Sequence, residues 1–504
     1  MLAVLNLDGV SQGLVRRLEE EGRLPALASL RARGTHHGLA SDGESFAAAT
    51  YATTYTGLPL PEHGLYYPFL WRAEEQRVRY VHRLPWPPAI WDRLADAGRR
   101  QLVIDPYEAH LPAWADGLWV TGLQFTNRVV LPAYVAPGGS RSLLRAAGLG
   151  RATSVDEVFG RQTAGILLAM RKALLAAPAR AATLATEALR RERFDSVWIS
   201  FSSGHIGGHQ FWSLAQLDDR ERELMQRAGA ESTLSDIYVA IDEAVGRVLD
   251  ALPDDADVLV FSGLGMNANT SRSDLLPGML DAVLGRTSAA PRRTSPTASL
   301  WRIRATVPTG ARAAVARALP RELVLTLGER LETPARDWSQ VRAFALPSDT
   351  TGYVRLNLRG RERDGIVSPA AAEALRDEIA QGLATFDDPD GAPAVAAVVP
   401  VADRYPNGGA VHALPDLLVR WANRPSAALD GVSSPTFGDV RRQGVGSGRS
   451  GNHVDDAWAI AVAAQASPRP ADGMARLEDV PATVLALAGV ATDALAGTPL
   501  LVRG

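Results

Sequence analysis

The chain alternates short apolar runs with longer stretches of helical periodicity. Leu2 to Leu7, Gln101 to Asp105, Phe194 to Phe201, Asp257 to Ser262 and Ala457 to Val462 are short runs rich in Leu, Val, Ile and Ala. Runs of this length, bounded by turn residues, predict buried strands. Between them, Leu14 to Arg33 carries apolar residues at helical spacing and is stopped by Gly34. Gln162 to Arg193 is Ala-rich and predicts a long helix, whose Ile166, Met170 and Leu174 stripe reads as core packing. Leu234 to Leu252 is amphipathic, and LEDVPATVLALAGV closes the chain as a further helix. Strands alternating with helices predict an α/β fold: a mostly parallel central sheet with helices on both faces. Residues 106–160 read as loop-rich. From Trp301 to Ala397 the pattern changes to alternating segments such as LWRIRATV and GYVRLNLRGRE, with helices between. This predicts an inserted α+β cap subdomain over 301–397, with the core formed by 1–300 and 398–504. In that division Asp416 to Trp421 is a core strand.

Length and composition narrow the class. The 504 residues exceed one small domain. The net charge of −3 does not favour nucleic acid or an anionic membrane as partner. Lys172 is the only lysine, which reads as the arginine bias of a GC-rich bacterial genome. There is no cysteine, so any metal must sit on His, Asp, Glu or hydroxyl groups. The segment MLAVLNLDGV begins as a strand and lacks the basic and apolar regions of a signal peptide. No run reaches the roughly 18 apolar residues of a membrane span. A soluble cytoplasmic protein is expected, and a homodimer is compatible with the sequence.

The candidate chemistry gathers at SSGHIGGHQFW, residues 202–212. It holds two of the chain's nine histidines, His205 and His209. If a helix starts here, their spacing stacks both imidazoles on one face. A strand end opening into a Gly-rich turn is where α/β proteins place ligands. Such a pair is more often helix decoration than a metal site. Asp8, at the end of the first strand, occupies a similar ligand position, though alone it reads as a turn residue. Ser45 to Gly64 is rich in hydroxyls, Ser45 and Thr50 among them. The run could supply a nucleophile, or it could be a tightly packed helix whose hydroxyls bond their own backbone.

Several segments taken together resemble the alkaline phosphatase superfamily, most closely its type I phosphodiesterase/nucleotide pyrophosphatase branch. They are LDGV at 7–10, LPALASLRARG at 24–34, TGLPLPEHG at 56–64, GHIGGHQFW at 204–212 and VLVFSGLGM at 258–266. DWSQVRAFAL with GYVRLNLRGRERDGIV at 337–367, SGRSGNHVDDAWAIAVA at 447–463 and LEDVPATVLALAGV with AGTPL at 477–500 complete the series. The resemblance implies two metals. In that family one site takes an Asp, a His four residues on, and a late His. The other takes the first-strand Asp, a nucleophilic Thr or Ser, and the Asp-His pair of an SDHG motif.

Carried over by position, the first site falls on His205, His209 and His453. The second falls on Asp8, Ala47, Gly263 and Leu264. The sequence therefore departs from the family pattern: His205 replaces an Asp, Ala47 stands at the nucleophile, and Gly263-Leu264 replaces the Asp-His pair. The second metal site and the covalent phospho-enzyme step are expected to be absent. Three imidazoles are the ligand set of a catalytic zinc with an open position. Imidazole also suits Fe, Cu and Ni, so the expectation is one divalent ion, Zn first, with Fe, Cu or Mn as alternatives. Asp8 is expected to be catalytic as a general base, or else a partner behind the ligands or a substrate anchor. Asp455 and Asp456 are close enough in sequence to orient His453. Ser45 and Thr50 are candidate substrate-binding residues. His63 matches a recurrent family position with a structural role.

Three functions follow. The first is hydrolysis of a phosphate or related ester, a small anionic molecule, by a metal-bound water. The second is a metal enzyme with changed chemistry, redox or lyase. The third is an inactive pseudoenzyme. Replacement of an Asp by another ligand at 205 argues against simple decay.

Overall fold

The computed structural model describes residues 1–110, 116–126, 134–136, 141–149, 153–154, 163–285, 319–333, 337–442, 446–470 and 473–502. The LWRIRATV segment lies outside the described residues. The nine-stranded central sheet runs through β1 (Leu2–Leu7), β2 (Thr35–Ala40), β3 (Gln101–Ile104), β4 (Gly117–Thr121), β5 (Tyr134–Ala136), β6 (Ser196–Phe201), β7 (Asp257–Ser262), β8 (Ala457–Val462) and β9 (Ala475–Arg476). Their spatial order is β9-β2-β8-β7-β1-β6-β3-β4-β5. Parallel pairing joins β4, β3, β6, β1 and β7, and also β2 with β9. Only β8, against both its neighbours, and β5 run antiparallel. The fold is α/β with a mostly parallel sheet.

All six residues of β1 are buried because helices cover both faces. Ala3, Leu5 and Leu7 point into one core with α1 (Gln12–Glu20), α2 (Pro25–Arg33), α5 (Ala164–Arg191), α6 (Ser203–Phe211) and α7 (Thr233–Leu249). Leu2 and Val4 point into the other with α3 (Ala49–Thr56), α4 (Ile90–Asp96) and α8 (Asp479–Leu487). This is the period-two alternation of a strand read on two covered faces.

Three features differ from the sequence expectation. The periodic stretch 14–33 is two helices, broken where Gly22 turns left-handed at φ 71° before Pro25 restarts the chain. Within the loop-rich 106–160, Gly117–Thr121 is a core strand. Its apolar centre, Leu118-Trp119-Val120, is too short to stand out by period. Leu417–Trp421, expected to be a core strand, lies instead in a second, antiparallel sheet. The order there is Ala343–Leu346, Gly352–Leu356, Leu417–Trp421, Val395–Pro400. That sheet draws strands from both sides of residue 397. A five-residue buried run suits either sheet, and only long-range pairing chooses between them. In the α5 stripe Met170 and Leu174 are core, whereas Ile166 is exposed.

A buried ion pair ties the segment that follows β7 to the surroundings of the second sheet. Arg272 Nε and Nη2 lie 2.8 and 2.5 Å from the two Asp388 carboxylate oxygens, with both side chains buried. Removing one partner strands a buried charge. Arg272→Ala is expected to lower unfolding free energy by roughly 3–5 kcal/mol, read from the denaturant midpoint.

The short helix Leu60–His63 follows α3 and is locked to it by its last residue. His63 Nε2 sits 3.0 Å from Thr53 Oγ1, and its Nδ1 accepts Leu65 N–H at 2.9 Å. Both nitrogens are matched to a neutral ring, and burial lowers its pKa to about 3. The unfolded chain binds this proton near pH 6.5. Its stabilising effect is therefore complete above pH 6.5 and is lost progressively as pH falls toward 3. The histidine's share of the loss at pH 5 is on the order of 2 kcal/mol. Melting curves at pH 7 and 5 should show a smaller pH difference in His63→Gln than in wild type.

Candidate metal centre

The site forms at the C-terminal edge of β1, β6 and β7, the edge where parallel sheets hold ligands. Strand β6 ends at Phe201, and α6 begins two residues later at Ser203. His205 and His209 project from one face of this helix, and both are buried. After β7, Gly265–Ala268 pairs antiparallel with Gly451–Val454 to make a two-stranded ribbon, Met266 opposite His453. The ribbon lies on α6. A Cβ on Gly451 would sit 2.2 Å from the Gly208 carbonyl oxygen and 2.8 Å from Trp212 Cβ. Only a residue without a side chain fits that backbone contact. Ser450 N–H donates to His209 O at 2.8 Å and seals it.

The result is a three-imidazole cluster. Ring centroids are 4.8 Å apart for His205–His209, 4.8 Å for His205–His453 and 4.6 Å for His209–His453. Each residue offers one nitrogen, all within 4.8 Å of one another, and all three residues are buried. His209 Nδ1 lies 3.0 Å from the Gly451 carbonyl. A carbonyl can only accept, so Nδ1 carries the proton. In the neutral ring Nε2 is then the donor to a metal. Three imidazoles in a buried cup are, in their neutral form, a donor set that fits a divalent ion with an open position.

Asp8 joins the cluster from the end of β1. Its Oδ1 lies 3.3 Å from His205 Nδ1 and accepts the Tyr51 hydroxyl at 2.8 Å, and the same hydroxyl is 3.0 Å from His205 Nδ1. The approach is close because Gly9 turns left-handed at φ 67°, where a Cβ would meet His205 Cα at 2.7 Å. Tyr107 completes an aromatic wall. Its ring centroid is 5.1 Å from His205 and 4.7 Å from Tyr51. Tyr107 is held by a segment in which Asp105 and Glu108 both adopt positive φ, 50° and 51°. Sequence reasoning passes over Tyr51 and Tyr107. The hydroxyl-rich run draws notice for its Ser and Thr residues, and Tyr51 stands among them.

The other candidates are used elsewhere. Ser45 Oγ accepts from Arg404 Nη1 at 2.7 Å, and its carbonyl accepts the Tyr353 hydroxyl at 2.7 Å. Thr50 donates to the Ala47 carbonyl at 2.7 Å, and Thr54 and Thr56 bond back to their own helix in the same way. Asp455 Oδ1 accepts Glu44 N–H and Asp456 Oδ2 accepts the N–H of Gln12, the first residue of α1, so these carboxylates hold backbone rather than serving as the expected props for His453. Burial raises Asp455 to a pKa of about 6. Leu264 is buried in the apolar core that also holds Tyr51 and Phe261, and Ala47 packs against that core.

Comparison with known proteins agrees with this architecture. The model of the type I phosphodiesterase/nucleotide pyrophosphatase family matches residues 2–424. No curated protein matches the chain at a significant level. Among solved structures, phosphonoacetate hydrolase from Sinorhizobium meliloti 1021, in complex with phosphonoacetate, is 14% identical with a TM-score of 0.53, covering 95% of this chain and 94% of its own. Alkaline phosphatase PafA is 11% identical with a TM-score of 0.54, over 99% and 98%. An inactive variant of murine ectonucleotide pyrophosphatase/phosphodiesterase 5, in complex with AMP, is 11% identical with a TM-score of 0.50, over 99% of both chains. At these identities the likeness speaks to the fold. The family model covers most of the chain, including the strands and helices that carry His205 and His209: the protein belongs to the type I phosphodiesterase/nucleotide pyrophosphatase family.

Proposed function

We propose that this chain is a hydrolase of a phosphate or related ester that works with one divalent metal, zinc first, on His205, His209 and His453. The single observation that carries the reading is the convergence of three buried imidazoles at the sheet's ligand-binding edge. Family membership supports the reaction class. A divalent ion in that cup supplies Lewis acidity and nucleophile activation toward a small anionic substrate.

The chain's own residues then divide the remaining work. His209 keeps its Nδ1 proton on the Gly451 carbonyl and presents Nε2. Asp8 and Tyr51 hold His205 from behind. Asp8 therefore acts through a ligand in this proposal, and the sequence alternative of a general base is set aside. Tyr107 covers one side of the cup and limits water there. Ala47 offers no nucleophile and Gly263-Leu264 no ligand, so the proposal has no phospho-enzyme step and no second metal. The burial of Leu264 among apolar side chains supports that part. The same burial favours a second reading, a redox or lyase enzyme on the same single metal, since the surroundings are remodelled away from the family's two-metal chemistry.

Purified protein should carry about one divalent ion per chain by elemental analysis, and His205→Ala should lose most of it. Unchanged metal content in that variant overturns the site. Aryl phosphodiester, phosphomonoester and sulfate substrates should be tested with metal-loaded protein, and turnover of one of them should fall at least ~100-fold in His209→Ala. A redox-active ion with no turnover of any ester would replace this reading with the second.

A further inference from the structure

The contacts behind His205 carry a proton count that decides which nitrogen faces the cluster. Three atoms meet there: Asp8 Oδ1, Tyr51 Oη and His205 Nδ1, with separations of 2.8, 3.0 and 3.3 Å. The phenol has one proton and donates it to the carboxylate oxygen. If His205 Nδ1 bore a lone pair, it would face the carboxylate oxygen and the phenol oxygen with no proton left for either contact. If Nδ1 carries the proton, it donates to the phenol oxygen and to Oδ1, and every contact is satisfied. In the neutral ring Nε2 then holds the lone pair, the form a metal requires.

We infer that Tyr51 is a positioning residue for the metal centre: with Asp8 it fixes His205 as the Nδ1–H tautomer and turns Nε2 toward His209 and His453. The inference deepens the proposed function and rests on the tri-histidine cluster being a metal site. Its chemistry is that of a carboxylate set behind a ligating imidazole, which orients the ring and raises its basicity. Here the phenol stands between helix and strand and completes the bracket. The three groups come from three elements: Tyr51 from α3, Asp8 from the end of β1 and His205 from α6. The bracket reaches over the edge of the sheet, because α3 packs on one face and α6 on the other. His209 is set by a backbone carbonyl instead. Two of the three ligands thus have their tautomer chosen before any ion arrives. The first-strand carboxylate, freed from the second metal it would serve in the family, supplies its negative charge one imidazole away from the ion.

The test uses metal-free protein with ¹⁵N-labelled histidine, with His205 assigned by the signals lost in His205→Gln. Wild type should show His205 protonated at Nδ1. Tyr51→Phe keeps the ring against Tyr107 and loses the hydroxyl. It should fold as wild type by circular dichroism, keep the Nδ1–H form because Asp8 Oδ1 still accepts from it, and weaken zinc binding roughly 10–100-fold in competition with a chromophoric chelator as the ring loses its second contact. Asp8→Asn, whose amide can donate to Nδ1, should shift His205 toward the Nε2–H form and weaken zinc at least as much. Wild-type His205 protonated at Nε2 overturns the inference. So does a Tyr51→Phe variant that binds zinc as tightly as wild type, which would mark Tyr51 as packing only. Wild-type protein that shows the Nδ1–H tautomer but takes up no divalent ion would instead overturn the proposed function, so the two failures are distinguishable.

Discussion

His453 reaches the other two histidines because backbone lies directly on backbone. The ribbon strand Gly451–Val454 rests on α6 with Gly451 against the Gly208 carbonyl, and no side chain fits between. That contact sets the distance across the cluster, orders the Gly451 carbonyl under His209, and places Ser450 N–H on His209 O. Close packing of this kind does not relax smoothly. The cluster therefore depends on a few glycines as much as on its three histidines. Gly9 plays the matching part on the other side, letting the end of β1 touch His205 Cα.

The cluster itself is three imidazole rings, and the Asp8 carboxylate falls on the far nitrogen of His205. The position carried over from the second metal is filled by Leu264, deep in the same apolar core as Phe261. The hydroxyls of Thr50, Thr54 and Thr56 bond to backbone carbonyls three or four residues back. Around Leu264 the contacts are apolar packing, while the three histidines keep donors, burial and hydrogen-bonded support.

Much of this is legible before any coordinate. β1 and β7 occupy the expected residues, because apolar runs buried on two faces leave a plain mark in sequence. The histidine pair on α6 and the late His453 follow from the resemblance, and the structure brings them together. Ser45 and Thr50 stand out by residue type alone. Their hydroxyls meet Arg404 and a helix carbonyl, contacts that composition cannot reveal. Tyr51 escapes notice because a tyrosine in a hydroxyl-rich helix looks like packing until its oxygen is found between Asp8 and His205. Leu417–Trp421 is assigned to the wrong sheet for a related reason: burial is written in the sequence, and the partner strand is not.

The sequence by itself determined the α/β class and the family resemblance, and it singled out His205, His209 and His453 as candidate ligands. These are properties of local pattern and residue identity, and they survive without knowledge of what touches what. Only the tertiary structure decided that Asp8 and Tyr51 meet at His205, that Asp455 and Asp456 hold the backbone of Glu44 and Gln12, and which sheet holds Leu417–Trp421. Each of those depends on contacts between residues tens to hundreds of positions apart. A hydrogen bond is made or lost within a few tenths of an ångström, a precision that comes only from the packed whole.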